Sequence, residues 1–166
     1  MTASRLRLAF AILLAAYGLY YITHPGHYGL LDHVDLPIHE TGHIVFAPFG
    51  EFMTALGGTL LQLIFPAVFV WYFRRRGDRF AAGVALWWLA QNLWNVSVYI
   101  KDAQAQELPL VGGGEHDWAY LLDALGWLEQ DQVVGQIVRV AGVLVYLAAL
   151  VWCFANTRDP NPETVT

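Results

Sequence analysis

Charged side chains are scarce. They make up 14% of the 166 residues, against about 25% in an ordinary soluble domain, while 57% of the chain is hydrophobic. A soluble fold of this size cannot hide so much apolar surface. Cysteine is nearly missing too. Cys153 is the single one, so no internal disulfide can form, and a lone Cys among apolar residues is expected to pack rather than react. The net charge is −5 and no basic groove is interleaved with aromatics, which argues against nucleic acid as a partner. No internal repeat, low-complexity tract or second domain breaks the pattern. Residues 1–166 therefore read as a single membrane domain with the lipid bilayer as its first partner.

In place of charge the chain has long uncharged runs. Phe52 to Phe73 and Phe80 to Ile100 carry no charge at all, and either is long enough to cross a hydrocarbon core of about 30 Å as a helix. Val133 to Phe154 is a third run, interrupted only by Arg139, and Leu8 to Ile22 is a shorter fourth. Arg5 and Arg7 precede that last run as they would in a signal peptide. No small-x-small cleavage site follows, so it reads as a retained first span. The expected fold is all-α: a polytopic bundle of about four transmembrane helices, at about 6–23, 52–73, 80–101 and 133–154. Pro66 is expected to kink the second, and Gly57, Gly58, Thr59 and Gln62 to form a close helix contact.

Lys and Arg set the orientation. In a four-span arrangement Arg5, Arg7, Arg74, Arg75, Arg76, Arg79 and Arg158 share one side and only Lys101 falls on the other. By the positive-inside rule both termini are cytoplasmic in an integral protein of a bacterial plasma membrane. The connections 24–50 and 102–132 then share the outer face, and every plausible metal ligand lies in those two connections.

The first of them contains His39-Glu40-Thr41-Gly42-His43. On a helix, imidazoles four residues apart share one face and can share a metal. Glu40 can reach a water on that metal and take its proton. Three fixed positions of this kind match by chance in roughly one such chain in a hundred. Asp35 as N-cap, Pro37 in the first turn, and Pro48 with Gly50 as a stop predict a short helix from Leu36 to about Ala47. That helix is too short to span and is expected to lie in the interface or to re-enter the bilayer. Gly42 costs about 1 kcal/mol relative to Ala within it, which calls for a close approach by another backbone or a substrate, or for tight packing between helices.

A catalytic zinc has three protein ligands and an open position. His116, the one histidine beyond residue 43, is the first candidate for the third ligand. It follows Gly112-Gly113-Gly114 and precedes a helix start. Asp102 and Asp117 are the alternatives, and Asp117 could instead cap the helix or orient His116. Asn92, Asn95, Tyr99 and Asp102 form one polar stripe down the third span, and such stripes face a bundle interior or cavity. Arg139 in the last span shares a face with Gln132 and Gln136. It is expected to snorkel or to pair with Asp102 or Asp123, and Asn95 and Arg139 are candidates to orient a site carboxylate or a substrate. His24, His27 and His33 are read as interfacial residues or a second, weaker metal site; Glu107 and Glu115 as solvated.

The sequence His39-Glu40-Thr41-Gly42-His43, followed by Phe49-Gly50 and Gly57-Gly58, resembles the site-2 protease family of intramembrane zinc metalloproteases. The resemblance covers roughly residues 36–66. It implies that His39 and His43 bind zinc, that Glu40 is the catalytic base, and that the substrate is a membrane protein or peptide. That family's third ligand is an aspartate in a later membrane segment, near Asn-x-x-Pro and Asp-Gly patterns. Asn95 and Asp102 are the nearest match here, without the Pro and with Ala103 in place of the Gly. Bacterial members commonly open towards the cytoplasm, whereas the basic residues put this motif on the outer side. The expected activity is metal-dependent hydrolysis, foremost of peptides. A lipid or amide hydrolase using the same zinc chemistry and a non-catalytic metal sensor or transport subunit are the rival readings.

Overall fold

The computed structural model describes residues 3–109 and 115–158. Among them are six α-helices and no strand: α1 (Ala3–Thr23), α2 (Leu30–Phe46), α3 (Glu51–Arg75), α4 (Arg79–Lys101), α5 (Asp117–Ala124) and α6 (Asp131–Ala155). The glycine run 112–114 lies outside the described residues.

Three segments are long and apolar enough to cross a membrane: α1, α3 and Leu128–Ala155, which contains α6. The third expected span forms α4, a helix of 23 residues that does not reach the same apolarity. Its place in the bundle explains why. It is the central helix, packed between α3 on one side and α6 on the other. Its polar residues Gln91, Asn92 and Ser97 are buried against neighbours and need not suit lipid.

Indole and phenol groups tie the bundle together. Trp87 Nε1 donates to the Leu14 carbonyl at 2.9 Å, and Tyr146 Oη donates to the Ala15 carbonyl at 2.7 Å. Trp87, Trp94, Tyr21, Tyr146 and Cys153 form one buried cluster, in which Cys153 is fully covered and serves packing. Among the described residues Arg139 pairs with neither Asp102 nor Asp123. Its guanidinium donates to the Ile22 carbonyl at 2.6 Å, satisfying a free acceptor at the C-terminal end of α1. The arginines of the two termini and of the α3–α4 turn meet at one end, where Arg7 lies over Phe80 and Arg74 over Trp152.

Helix α2 differs most from expectation. It starts at Leu30 rather than Leu36, and Asp35 is not its cap. Asp32 holds the first turn by accepting from the Gly29 N–H at 2.6 Å. Pro37 sits within the helix and the chain continues through it. The stop is where Pro48 and Gly50 place it: a single 3-10 turn follows Phe46, and Gly50 takes a φ of 95° that favours glycine. The 17 residues give a rod of about 25 Å.

This helix runs antiparallel to α3. His39 lies beside Gln62, Gly42 beside Gly57 and His43 beside Thr54. A β-carbon on Gly42 would run into the Gly57 carbonyl, and one on Gly57 would lie 2.6 Å from the Gly42 carbonyl. The conformational cost of Gly42 is thus met by backbone-to-backbone contact between helices. The N-terminal half of α2 reaches the middle of α4, where Asp32 meets Gln91 and Asn95, and Asp35 meets Trp88 and Asn92.

Candidate metal centre

His39 and His43 project from the face of α2 that packs on α3. Their rings lie 4.8 Å apart, centroid to centroid. Asp117, at the first turn of α5, completes the group: its Oδ2 is 3.1 Å from His39 Nε2 and 3.4 Å from His43 Nε2. One ligand atom from each of these residues falls within 4.8 Å of the others, and no other such group of three occurs among the described residues. The hydroxyl of Tyr99 donates to the same Asp117 oxygen at 3.3 Å and accepts from the Asp117 N–H at 3.3 Å.

The inner nitrogens are committed elsewhere. His43 Nδ1 lies 2.8 Å from the Thr54 carbonyl, an acceptor only, so that nitrogen carries a proton. His39 Nδ1 lies 3.1 Å from Gln62 Oε1. The orientation of that amide is fixed by a relay. Gln62 donates to Asn95 Oδ1 at 2.9 Å, and Asn95 donates to Asp32 Oδ1 at 2.9 Å. Asp32, 2% exposed, also accepts from Tyr21, Gln91 and the Gly29 N–H. A carboxylate surrounded by donors has one polarity, and the relay passes it on: amide nitrogen to Asp32, carbonyl oxygen to Gln62, carbonyl oxygen to His39. The Nδ1 of His39 therefore carries the proton, and in a neutral ring Nε2 keeps its lone pair.

Both histidines thus aim Nε2 at one carboxylate oxygen. Between an imidazole lone pair and a carboxylate only a proton or a cation makes such proximity favourable. At His43, in the metal-free chain, it is a proton. The hydrogen bond with Asp117 outweighs burial and raises His43 to about 9. Burial pushes the Asp117 carboxyl up, but its bonds with His39 and His43 win and hold it at about 2. Two imidazole nitrogens and one carboxylate oxygen, each ring oriented by a bond at its other nitrogen, form a group that could hold a metal ion.

His116, the leading candidate from the sequence, is not in this group. Its Nδ1 accepts from the Ala119 N–H at 3.2 Å, so it caps α5. Its Nε2 lies 3.3 Å from Asp102 Oδ2 but off the line of a hydrogen bond. Asp102 meanwhile closes the turn after α4, accepting from the Glu107 and Leu108 N–H groups at 2.9 and 3.1 Å. Cap and site residue have changed places between neighbours: His116 does what Asp117 was suited to do, which leaves Asp117 free to face the histidine pair. Asn95 is engaged in the relay, and Arg139 lies at the end of α1, outside the group. His24, His27 and His33 do not converge; they pack on Tyr20, Tyr21 and Tyr28.

Glu40 is exposed and lines the same cavity as His39, His43 and Asp117. It makes no side-chain hydrogen bond or ion pair among the described residues. The cavity measures about 970 Å³. Its walls carry aromatic groups such as Tyr28, Trp94 and Tyr120 and the carboxylates Glu51 and Glu115, but no Lys or Arg. Asp32, Gln62 and Thr54 support the site although no motif in the sequence marks them. Their signal was available in part: Asp32, Asp35, His39 and Gly42 recur at three- and four-residue spacing, one face of a single helix. No family model, curated protein or solved structure matches the chain.

Proposed function

We propose that this protein is a membrane-embedded zinc-dependent hydrolase, a peptidase of the site-2 protease kind. The observation that carries the reading is the convergence of His39 Nε2, His43 Nε2 and Asp117 Oδ2 beside an unengaged Glu40 in one cavity. In this reading α1, α3, α4 and α6 all span the membrane and α2 re-enters it. The arginine-rich end and both termini face the cytoplasm, and the cavity opens near the outer face. α4 crosses despite its polar residues because Gln91, Asn92 and Asn95 bond to α2 and α3 and Ser97 to its own helix rather than meet lipid.

His39, His43 and Asp117 would hold the zinc. When bound there, it supplies a lowered pKa for a water molecule and polarises a carbonyl oxygen. Glu40 takes the proton from the water and delivers it to the departing amine. Gln62 and the Thr54 carbonyl keep both rings in the ligating orientation, and Tyr99 steadies the Asp117 carboxylate. The substrate must be locally unfolded, since a helix keeps its peptide bonds within its own hydrogen-bonded backbone.

The rivals are less well supported. A lipid or amide hydrolase would use the same zinc chemistry at the same residues, and what sets the peptidase ahead of it is the resemblance of His39-Glu40-Thr41-Gly42-His43 to the site-2 protease motif. A carrier or sensor gains from further histidines, and His24, His27 and His33 pack against tyrosines instead. The test is zinc analysis paired with a peptidase assay on the purified full chain. We expect about one zinc per chain, lost in His39→Ala. Glu40→Gln should keep the zinc and lose hydrolysis. Full activity in Glu40→Gln would overturn the catalytic role, and a chain without zinc affinity would overturn the metal centre.

A further inference from the structure

A second cavity, of about 690 Å³, lies at the opposite end of the bundle, between the α3–α4 turn and the last turns of α6. We infer that it binds the headgroup and upper acyl chain of an anionic phospholipid. Arg74 and Arg79 line it together with the apolar side chains of Leu147, Val151 and Trp152. Arg74 is held over the Trp152 ring at 5.0 Å. Among the described residues no carboxylate lies within ion-pair distance of either arginine. Two cations without an anion, lining one groove with apolar side chains, call for an anion with an apolar tail.

The groove suits a lipid in its direction as well as its charge. Leu147 and Val151 are 51% and 71% exposed and stand one helical turn apart on α6. A chain lying along them runs from the arginines towards the middle of the bundle. Guanidinium forks match phosphate oxygens in pairs, and a tryptophan at headgroup depth is the usual companion of such a contact. A zwitterionic headgroup carries its own cation and loses the advantage. The site is distinct from the metal centre, and its proposal depends on the membrane reading but not on hydrolysis.

The experiment is native mass spectrometry of the full chain in detergent, titrated with phosphatidylglycerol or phosphatidylcholine. Phosphatidylglycerol should bind with clear preference. Arg74→Gln with Arg79→Gln should weaken it by about thirty-fold, the scale of two interfacial charges, and leave phosphatidylcholine unchanged. Arg75→Gln with Arg76→Gln removes the same charge from the same turn. Those two arginines lie over Trp71 and Tyr72 and do not line the groove, so this pair should cost clearly less than the first. Equal losses in the two pairs would reduce the site to a diffuse field and overturn it. So would equal affinity for both lipids, or displacement of the lipid by excess inorganic phosphate. Unchanged circular dichroism in every variant would show that the fold is intact.

Discussion

Gly58 of α3 and His39 of α2 occupy one space: a β-carbon at position 58 would lie 2.5 Å from His39 Nε2. The imidazole fills the volume that a side chain on α3 would take. Gly58→Ala should push the ring off its position and lower zinc content, while circular dichroism shows the helices unchanged. Full zinc occupancy in Gly58→Ala would mean that the ring has another way to reach the metal.

Exchange between neighbours gives a sharper test of the third ligand. Asp117→Asn should weaken zinc binding by more than the roughly 10–100-fold that loss of an outer partner costs. His116→Asn keeps a good N-cap and removes the imidazole. It should bind zinc nearly as the parent does, with a change in unfolding free energy below about 1 kcal/mol. Loss of zinc in His116→Asn together with its retention in Asp117→Asn would reverse the assignment.

Asp32 and Asp35 are both buried acids of α2, yet their substitution by Asn should differ. Every neighbour of Asp32 donates a hydrogen bond, so an amide nitrogen there meets a donor. Asp32→Asn should cost roughly 1–3 kcal/mol and weaken zinc binding through the relay to His39. Asp35 accepts from Trp88 and Asn92 on one oxygen, while its other oxygen and Asn92 Oδ1 are buried without partners. Asp35→Asn supplies a donor where acceptors are in excess and removes a charge, so the thermal midpoint should hold or rise. A larger loss in Asp35→Asn than in Asp32→Asn would sink this account.

Zinc binding should release a proton. Metal-free His43 is protonated below about 9, and zinc takes only the neutral imidazole. At neutral pH about one proton per chain should appear on binding, read by calorimetry in two buffers of different ionisation enthalpy. Affinity should rise with pH until His43 has titrated. For the metal-free chain the sign is the reverse. The raised His43 contributes stability that is full below its unfolded value of 6.5 and is lost as pH rises through about 9. The lowered Asp117 contributes stability that is present above 3.8 and is lost as pH falls through about 2.

The helices were legible because uncharged runs of about twenty residues leave few alternatives. α3, α4 and α6 begin and end within a few residues of the expected spans. The start of α2 was hidden by Pro37, which marks a first turn more often than an interior. His39 and His43 were legible from spacing alone. The third partner was not, since nothing in Glu115-His116-Asp117 says which residue caps and which faces inward; that depends on how Trp118 docks, with its indole on Thr59 at 3.1 Å. Nor could local sequence show that Asp32 governs His39, because the relay passes through α4 and α3.

Helix α5 brings Asp117 to a pair of histidines that α2 carries alone. The centre is therefore assembled from two pieces of chain that meet only when α5 is docked. An ion held there would act as a clasp between the connection after α4 and the bundle, and a chelator would open it. Amide hydrogen exchange in α5 should then speed up on chelation while α4 and α6 stay protected, so that occupancy of the centre can be read from a helix that contributes one ligand to it.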